Sequence, residues 1–124
     1  MIPYNKALDP PAPFLDITIS NRSNRRWRAT IPSLLDTGSE ITAIPERTIE
    51  RLRLYPVGRL KLTGIHSTKI NYTYSINLQI LTYKFTDLEV VSTPLEFAVV
   101  GREILNDLLL TLDGPSLTFT IEGK

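Results

Sequence analysis

The longest alternating run of the chain lies between Ile70 and Ile80, where every second residue is apolar. The apolar positions of one parity are Ile70, Tyr72, Tyr74, Ile76, Leu78 and Ile80. A repeat of two residues puts these side chains on one face of an extended strand, whereas a helix would scatter them around its axis. β-branched and aromatic residues are also favoured in strands. The run therefore predicts one long β-strand, and a sheet must form around it.

Shorter segments show the same alternation. Residues 15–20 and 27–31 are separated by a polar turn, which predicts a β-hairpin. Further strands are predicted at 41–44, 57–62, 83–91, 95–100, 108–112 and 117–121, with a turn or bulge at Asp87. Short helices are predicted after Pro45 and over 102–107. Many strands at short spacing predict a mainly β fold, either a small barrel or a sandwich.

The first 13 residues contain Pro3, Pro10, Pro11 and Pro13. Proline fixes φ and lacks an N–H donor, so residues 1–13 are predicted to form an extended arm that is either mobile or bound to a partner. Residues 14–124 are predicted to form a single domain, because 124 residues suit one compact unit. A composition with 42% hydrophobic and 22% charged residues is that of an ordinary globular protein.

The charge balance supplies no long-range attraction to polyanions. Fourteen Lys and Arg against thirteen Asp and Glu give a net charge of +1, so we expect neither nucleic acid nor a membrane as partner. The chain contains no cysteine, which excludes a disulfide framework, a thiolate zinc site and a cysteine nucleophile. The N-terminal segment lacks the apolar stretch of a secretory signal, and we expect a cytoplasmic location. We also expect no metal and no cofactor.

Four arginines near Trp27 leave an alternative open. Arginine with an interleaved aromatic residue is one pattern of nucleic-acid binding. The four positions are Arg22, Arg25, Arg26 and Arg28. Because Arg26 and Arg28 fall on the polar side of the alternation, we prefer to interpret them as a solvated strand face.

An acidic residue, Asp36, ends an apolar run inside a predicted turn. Leu34 and Leu35 precede it, and Thr37, Gly38 and Ser39 follow. Asp, Gly and Ser are common in turns, so the triplet alone is weak evidence of function. The apolar neighbours, however, place the carboxylate in a partly desolvated setting, which a purely structural turn does not require. Asp36 is therefore the first candidate for catalysis.

With these residues the chain resembles the retroviral-like, or retropepsin-type, aspartic proteases. Residues 34–39 match the active-site motif, the turn at Gly64 matches the flap, and 99–102 match an apolar-apolar-Gly element. The resemblance covers most of 14–121 and implies a small closed β-barrel with one or two short helices. It also implies an aspartic endopeptidase that acts on a peptide or protein substrate.

The resemblance further implies a homodimer, because the chain carries only one such motif. Each subunit would supply one Asp36. Two carboxylates about 3 Å apart cannot both ionise and so share a proton. The ionised one would activate a water, while the protonated one would polarise the scissile carbonyl. In the family the chain termini interleave between subunits, which makes 117–121 the candidate interface strand.

Roles of individual residues follow from the same resemblance. Thr37 would form a hydrogen bond across the dimer, and Gly38 would allow close approach of the substrate backbone. Ser39 would donate to the outer oxygen of Asp36, or would be a simple turn hydroxyl. Arg102 would form an ion pair with Glu40, or would lie at a helix start in solvent. Substrate-binding residues would be Ser39, Glu40, Gly64, Ile65, His66, Val99 and Val100.

The flap departs from the viral pattern, because Gly64 is its single glycine. With the helix after Pro45, this flap resembles cellular and bacterial members of the family. His66, the only histidine of the chain, would touch substrate or be an exposed turn residue. The unusual flap and Glu40 also support an alternative function, a non-catalytic dimeric β-barrel that binds peptides or proteins.

Overall fold

The structure, a computed structural model, describes residues 1–63 and 68–123. These residues form ten strands and two short helices. In chain order the elements are β1 (Ile2–Pro3), β2 (Phe14–Asn21), β3 (Arg28–Leu35), β4 (Ala43–Pro45), α1 (Glu46–Arg51), β5 (Gly58–Thr63), β6 (Thr68–Ile80), β7 (Tyr83–Thr93), β8 (Ala98–Val100), α2 (Arg102–Leu105), β9 (Leu108–Asp113) and β10 (Thr118–Gly123).

Six strands close into a barrel. Their order is β2-β3-β8-β4-β7-β6, and β6 pairs back onto β2, with Ile80 opposite Ile17. The strand β5 extends the sheet at the outer side of β6. The predicted mainly β fold and closed barrel with two short helices are therefore confirmed. The predicted hairpin is also present, since β2 and β3 pair antiparallel from Phe14–Leu34 to Ser20–Arg28.

Every second side chain along the barrel strands points inward, and these side chains fill the interior of the barrel. Buried aliphatic side chains form one core, among them Ile17, Ile19, Ile44, Ile76, Leu78, Ile80, Val90, Val100 and Ile104. The long strand β6 changes character along its length. Its end near Ile80 is buried, whereas Ile70 is 69% and Tyr72 is 54% exposed. This exposed end pairs with β5 outside the closed barrel, so its apolar face has no core to cover it.

Local sequence signals explain several element boundaries. Pro45 was expected to be the first helical residue but is the N-cap of α1, so the helix begins one residue later, at Glu46. Glu46 lies in the first turn, where a carboxylate suits the helix dipole. Ile49 of α1 is buried. The predicted irregularity at Asp87 is a bulge, with a φ of 52° and a register shift opposite it.

The two termini meet in a separate three-stranded sheet of order β1-β10-β9. The proline-rich arm is extended, as predicted, and its strand β1 pairs with Thr118 and Phe119 of the same chain. The other side of β10 pairs with β9 along its whole length. Both edges of β10 are thus occupied within one chain. The expectation that 117–121 pairs with a second subunit stays a prediction. No helix of the described residues is long and apolar enough to span a membrane.

Candidate active site

Asp36 lies immediately after β3, at the point where the chain leaves the barrel sheet. Strand β8 runs parallel to β3, with Val100 as the partner of Leu35. One residue further on, the N–H of Asp36 donates to the carbonyl oxygen of Val100 at 3.0 Å. Buried strand pairing therefore fixes the backbone of Asp36, while its side chain is half-buried at the surface.

A tight turn holds the Asp36 carboxylate. The N–H of Gly38 donates to Asp36 Oδ1 at 2.9 Å, and the N–H of Ser39 donates to the carbonyl of Asp36 at 3.2 Å. A Cβ atom at position 38 would lie 3.1 Å from Asp36 Oδ1. Glycine thus lets the backbone approach the carboxylate closely. Thr37 and Gly38 are themselves exposed, so this part of the turn is accessible to a ligand.

Arg102, the first residue of α2, binds the Asp36 turn twice. Its N–H donates to the carbonyl of Ser39 at 2.8 Å, and its Nη1 donates to the carbonyl of Thr37 at 2.8 Å. The predicted ion pair with Glu40 is not formed. Among the described side chains, which leave out 63–69 and 124, the only ion pair joins Arg22 and Asp87. Glu40 is exposed, and the guanidinium instead satisfies a backbone carbonyl of the turn.

The next residue, Glu103, holds the far end of the same loop. Its two carboxylate oxygens accept the N–H of Thr42 at 2.7 and 3.0 Å, and its Oε1 also accepts the Thr42 hydroxyl. Burial raises the pKa of Glu103 above the ordinary value of 4.5, and the two kinds of hydrogen bond from Thr42 oppose this shift. Sequence reasoning missed both residues, because their separation of 61 positions carries no spacing signal.

Gly101 allows the loop and α2 to approach each other. A Cβ atom here would lie 2.7 Å from the backbone carbon of Ile41 and 3.0 Å from its nitrogen and oxygen. The N–H of Gly101 also donates to Thr42 Oγ1 at 3.1 Å. The segment 100–103 therefore contacts the segment 36–42 at both of its ends and in its middle.

Two further predicted site residues, Ser39 and Val100, do not have the contacts expected of substrate-binding residues. The Ser39 hydroxyl donates to the carbonyl of Ile41 at 2.9 Å and not to Asp36, so it is a turn hydroxyl. Val100 is fully buried in the core and is not available to substrate. Val99 has the opposite orientation on β8 and is half-buried, as strand alternation requires. The predicted flap residues Gly64, Ile65 and His66 lie outside the described residues.

The basic hairpin does not present a free aromatic ring. Trp27 is half-buried, and the guanidinium of Arg53 lies 4.8 Å from its ring centroid. Arg25, Arg28 and Lys84 line a cleft of about 210 Å³ on the outer barrel surface, away from Asp36. Because Arg53 covers one face of the Trp27 ring, we interpret the arginines near Trp27 as a solvated strand face and not as a nucleic-acid site. Among residues 1–63 and 68–123, no group of three or more His, Cys, Asp or Glu could hold a metal ion.

Comparison with known families agrees with the geometry around Asp36. The family model described as "Spumavirus aspartic protease (A9)" matches residues 28–116, which is more than half of the chain and includes both the Asp36 turn and α2. The chain belongs to the spumavirus aspartic protease family. A search of curated proteins found no match.

Solved structures of viral proteases share the fold. The solution structure of the simian foamy virus (mac) protease has a TM-score of 0.58 and 19% identity, covering 76% of this chain and 92% of that chain. The EIAV protease complexed with the inhibitor HBY-793 has a TM-score of 0.55 and 17% identity, covering 77% of this chain and 86% of that chain. The foamy viral protease-reverse transcriptase in complex with an RNA/DNA hybrid has a TM-score of 0.56 and 22% identity, covering 84% of this chain and 13% of that chain.

These structures are similar to the chain in their barrel, and their identities are too low to carry more than the fold. All three are viral proteins, so the expected likeness to cellular and bacterial members stays a prediction. The family and the fold together make this an aspartic protease domain. The assignment of each residue's role rests on the geometry given above.

Proposed function

We propose that this chain is an aspartic endopeptidase whose active unit is a homodimer with one Asp36 from each subunit. The observation that carries the proposal is the Asp36 turn, in which Gly38 holds the carboxylate and Arg102 holds the surrounding backbone. A carboxylate so fixed, half-buried and at an accessible turn is suited to act on a bound water.

In the proposed reaction, the ionised Asp36 takes a proton from a water whose oxygen attacks the carbonyl carbon of the scissile peptide bond. The protonated Asp36 of the other subunit donates a hydrogen bond to the carbonyl oxygen as negative charge develops there. The C–N bond then breaks, and the leaving nitrogen takes a proton from the Asp36 pair, which is left with one shared proton as at the start. Water is consumed, and the products are a carboxylic acid and an amine.

The second subunit is required by this chemistry, because a single carboxylate cannot be both proton acceptor and proton donor in one step. Two carboxylates in contact share one proton, which supplies the acid and the base together. The chain offers one Asp-Thr-Gly motif, so the other must come from another copy. The exposure of Thr37 beside Asp36 supports its proposed contact with that copy.

The proposed substrate is an extended peptide bound as an added strand, with side chains in alternate pockets. Val99 is the described residue best placed to line such a pocket, because its side chain points away from the core beside the Asp36 turn. The flap residues Gly64, Ile65 and His66 stay candidates for the opposite wall. No cofactor takes part in the proposed reaction.

The test is a peptide-library digest by wild type and Asp36→Asn over a range of pH, with sedimentation measurements of mass. We expect Asp36→Asn to lose at least about 10²-fold in rate, the usual scale of general acid–base catalysis. Its fold should survive, because an amide oxygen can still accept the Gly38 N–H. Asp16→Asn, an exposed carboxylate on β2, is the control and should keep full activity.

Two outcomes would contradict the proposal. Full hydrolysis by Asp36→Asn would exclude the carboxylate from the chemistry. Peptide binding by wild type without cleavage at any pH would instead favour a non-catalytic binding module. The library digest and a binding measurement on the same peptides separate these two cases.

A further inference from the structure

An electropositive cleft lies on the outer wall of the barrel, with a volume of about 210 Å³. Three of the residues that line it are cationic, namely Arg25, Arg28 and Lys84, and all three are exposed. None of the described lining residues is Asp or Glu, and none belongs to the Asp36 loop or to the segment 100–103. Positive charge that is concentrated in a concave surface attracts anions.

Sheet register builds the floor of this cleft from small polar side chains. Thr18 and Ser20 alternate with buried residues of β2, so their side chains face outward from the barrel. Ser20 lies opposite Arg28 of β3 on one side and opposite Asn77 of β6 on the other. One cationic side chain, one hydroxyl and one amide are therefore aligned across three neighbouring strands.

A second cross-strand row carries the lysine. Thr18 lies opposite Gln79 of β6, and Gln79 lies opposite Lys84 of β7. Neighbouring strands are about 4.8 Å apart, so β3 and β7 are separated by about 14 Å across the floor. Arg28 and Lys84 therefore stand on opposite sides of it. Gln79 supplies no free donor, because its Nε2 donates to the carbonyl of Leu81 at 2.9 Å.

Existing contacts leave donor groups for a ligand and remove a competing acid. Asn77 Oδ1 accepts the N–H of Asp87 at 3.2 Å, so the Nδ2 end of this amide is left for another partner. The Asp87 carboxylate, next in sequence to a lining residue, pairs with Arg22 at 2.8 Å. The acid closest along the chain is thus neutralised by an arginine that does not line the cleft.

The remaining lining includes apolar side chains. Leu78 is buried, and Phe85 is half-buried and packs against the barrel core. Apolar side chains beside charged groups reduce the share of water around them, and this strengthens the attraction between opposite charges. A charged ligand in the cleft would therefore be bound more strongly than one on a flat, fully solvated surface.

We propose that this cleft binds a small molecule that carries at least two phosphate groups. Guanidinium groups bind phosphate oxygens through pairs of N–H donors, and a lysine adds a compact positive charge. Cations on two sides of the floor suit two linked phosphates better than a single carboxylate. Sites for drug-sized ligands are commonly about 300–1,000 Å³. A cleft of about 210 Å³ therefore suits a compact anion.

The test is isothermal titration calorimetry with tripolyphosphate at an ionic strength of about 0.15 M. One variant carries Arg25→Gln, Arg28→Gln and Lys84→Gln together, which removes the three positive charges of the cleft. We expect this variant to bind tripolyphosphate at least about tenfold more weakly than wild type. Circular dichroism checks that it is folded, which we expect because all three side chains are exposed.

The matched control carries Lys6→Gln, Arg47→Gln and Arg51→Gln. These residues are also exposed, do not line the cleft and change the net charge by the same amount. Distant surface charges are largely screened at this ionic strength, so the control should bind tripolyphosphate within about twofold of wild type. Asp36→Asn should also bind like wild type, because the site does not depend on the proposed peptidase reaction.

Further probes define the ligand and its place. Tripolyphosphate should bind more tightly than inorganic phosphate and should shift the backbone amide NMR signals of Ser20, Asn77 and Thr86. Tighter binding of ATP would identify nucleotides as the source of the phosphates, whereas equal affinity would point to inorganic polyphosphate. Either result would support the site.

Several results would overturn the proposal. These are no binding of tripolyphosphate by wild type, an equal loss of binding in the cleft variant and its control, and NMR shifts centred on Asp36. Binding of hexaglutamate as tight as that of tripolyphosphate would show a general acidic-peptide surface. Tighter binding of a short single-stranded oligonucleotide would show a nucleic-acid surface and would equally reject a small phosphorylated ligand.

Discussion

The Glu103 carboxylate accepts the backbone N–H of Thr42 through both of its oxygens, at 2.7 and 3.0 Å, across 61 residues of sequence. Thr42 is fully buried, and its hydroxyl also donates to Glu103 while accepting the N–H of Gly101. One acidic side chain therefore ties the end of the Asp36 loop to the start of α2. This contact holds the loop at a residue that is buried inside the protein.

Two substitutions of Glu103 should distinguish the contribution of its hydrogen bonds to the free energy of unfolding from the contribution of its charge. Glu103→Ala leaves the buried N–H and hydroxyl of Thr42 without an acceptor, which should cost about 1–3 kcal/mol of unfolding free energy. Glu103→Gln keeps one acceptor oxygen and should cost less. Urea denaturation at neutral pH measures both. Equal losses in the two variants would contradict a role for the acceptor, and Glu50→Gln, on the exposed face of α1, is the control.

The raised pKa of Glu103 predicts a specific pH dependence of stability. Because burial raises this pKa in the folded state, the folded protein binds the proton more tightly than the unfolded chain does. The stability due to this group is fully present below the unfolded value of 4.5 and is lost as pH rises through the folded value. We expect wild type to gain stability relative to Glu103→Gln on acidification. A constant difference from pH 7 to pH 4 in paired urea titrations would contradict this.

Gly101→Ala should destabilise the fold, because its Cβ would meet the backbone of Ile41 at 2.7 Å. Backbone cannot move aside as a side chain does, so we expect a loss of about 1–3 kcal/mol, typical of overpacking. Thermal or urea unfolding measures it. Gly114→Ala is the matched control, since an added Cβ there meets nothing within 4 Å. A loss of similar size at both positions would indicate a general effect of glycine replacement.

Arg102→Met should reduce catalysis more than stability. The change removes one side-chain hydrogen bond, from Nη1 to the carbonyl of Thr37, and leaves the backbone bond to Ser39. Unfolding free energy should fall by about 0.5–1.5 kcal/mol. The rate kcat should fall by about tenfold or more, because the catalytic turn is less well fixed. Arg51→Met, exposed on α1, is the control, and unchanged kcat in Arg102→Met would reject the positioning role.

Val99 and Val100 should give opposite phenotypes, since adjacent strand residues face opposite sides. Val100→Ala removes buried methyl groups and should cost about 2 kcal/mol with cleavage preference unchanged. Val99→Ala should keep most of the stability and alter the preferred side chains in a peptide-library digest. Each variant serves as the control for the other. A change of preference in Val100→Ala alone would contradict the orientation of β8.

Local patterns predicted much of the architecture. The alternation from Ile70 to Ile80 marked β6, and the order of polar and apolar residues marked the hairpin of β2 and β3. The bulge at Asp87 and the helix after Pro45 were also predicted, because each depends on neighbours within a few residues. The position of Asp36 at the end of a strand followed from Leu34 and Leu35.

Contacts between distant segments were predicted less well. Arg102 was expected to pair with Glu40, yet its guanidinium binds the carbonyl of Thr37. The Ser39 hydroxyl was expected either to donate to Asp36 or to be a turn hydroxyl, and it donates to the carbonyl of Ile41. Alternation along a strand could have shown that Val99 and Val100 face opposite sides of the sheet. In contrast, nothing in the sequence distinguishes Glu103 from acidic residues that lie at the surface.

The sequence by itself determined the strands, the acidic turn and the presence of a single catalytic motif, because alternation and turn chemistry act over a few residues. Only the tertiary structure decided that Glu103 binds Thr42 and that β10 lies between β1 and β9 in the terminal sheet. Both depend on which segments pair across the fold, and strand pairing is set by the packing of the whole core, which no local pattern encodes.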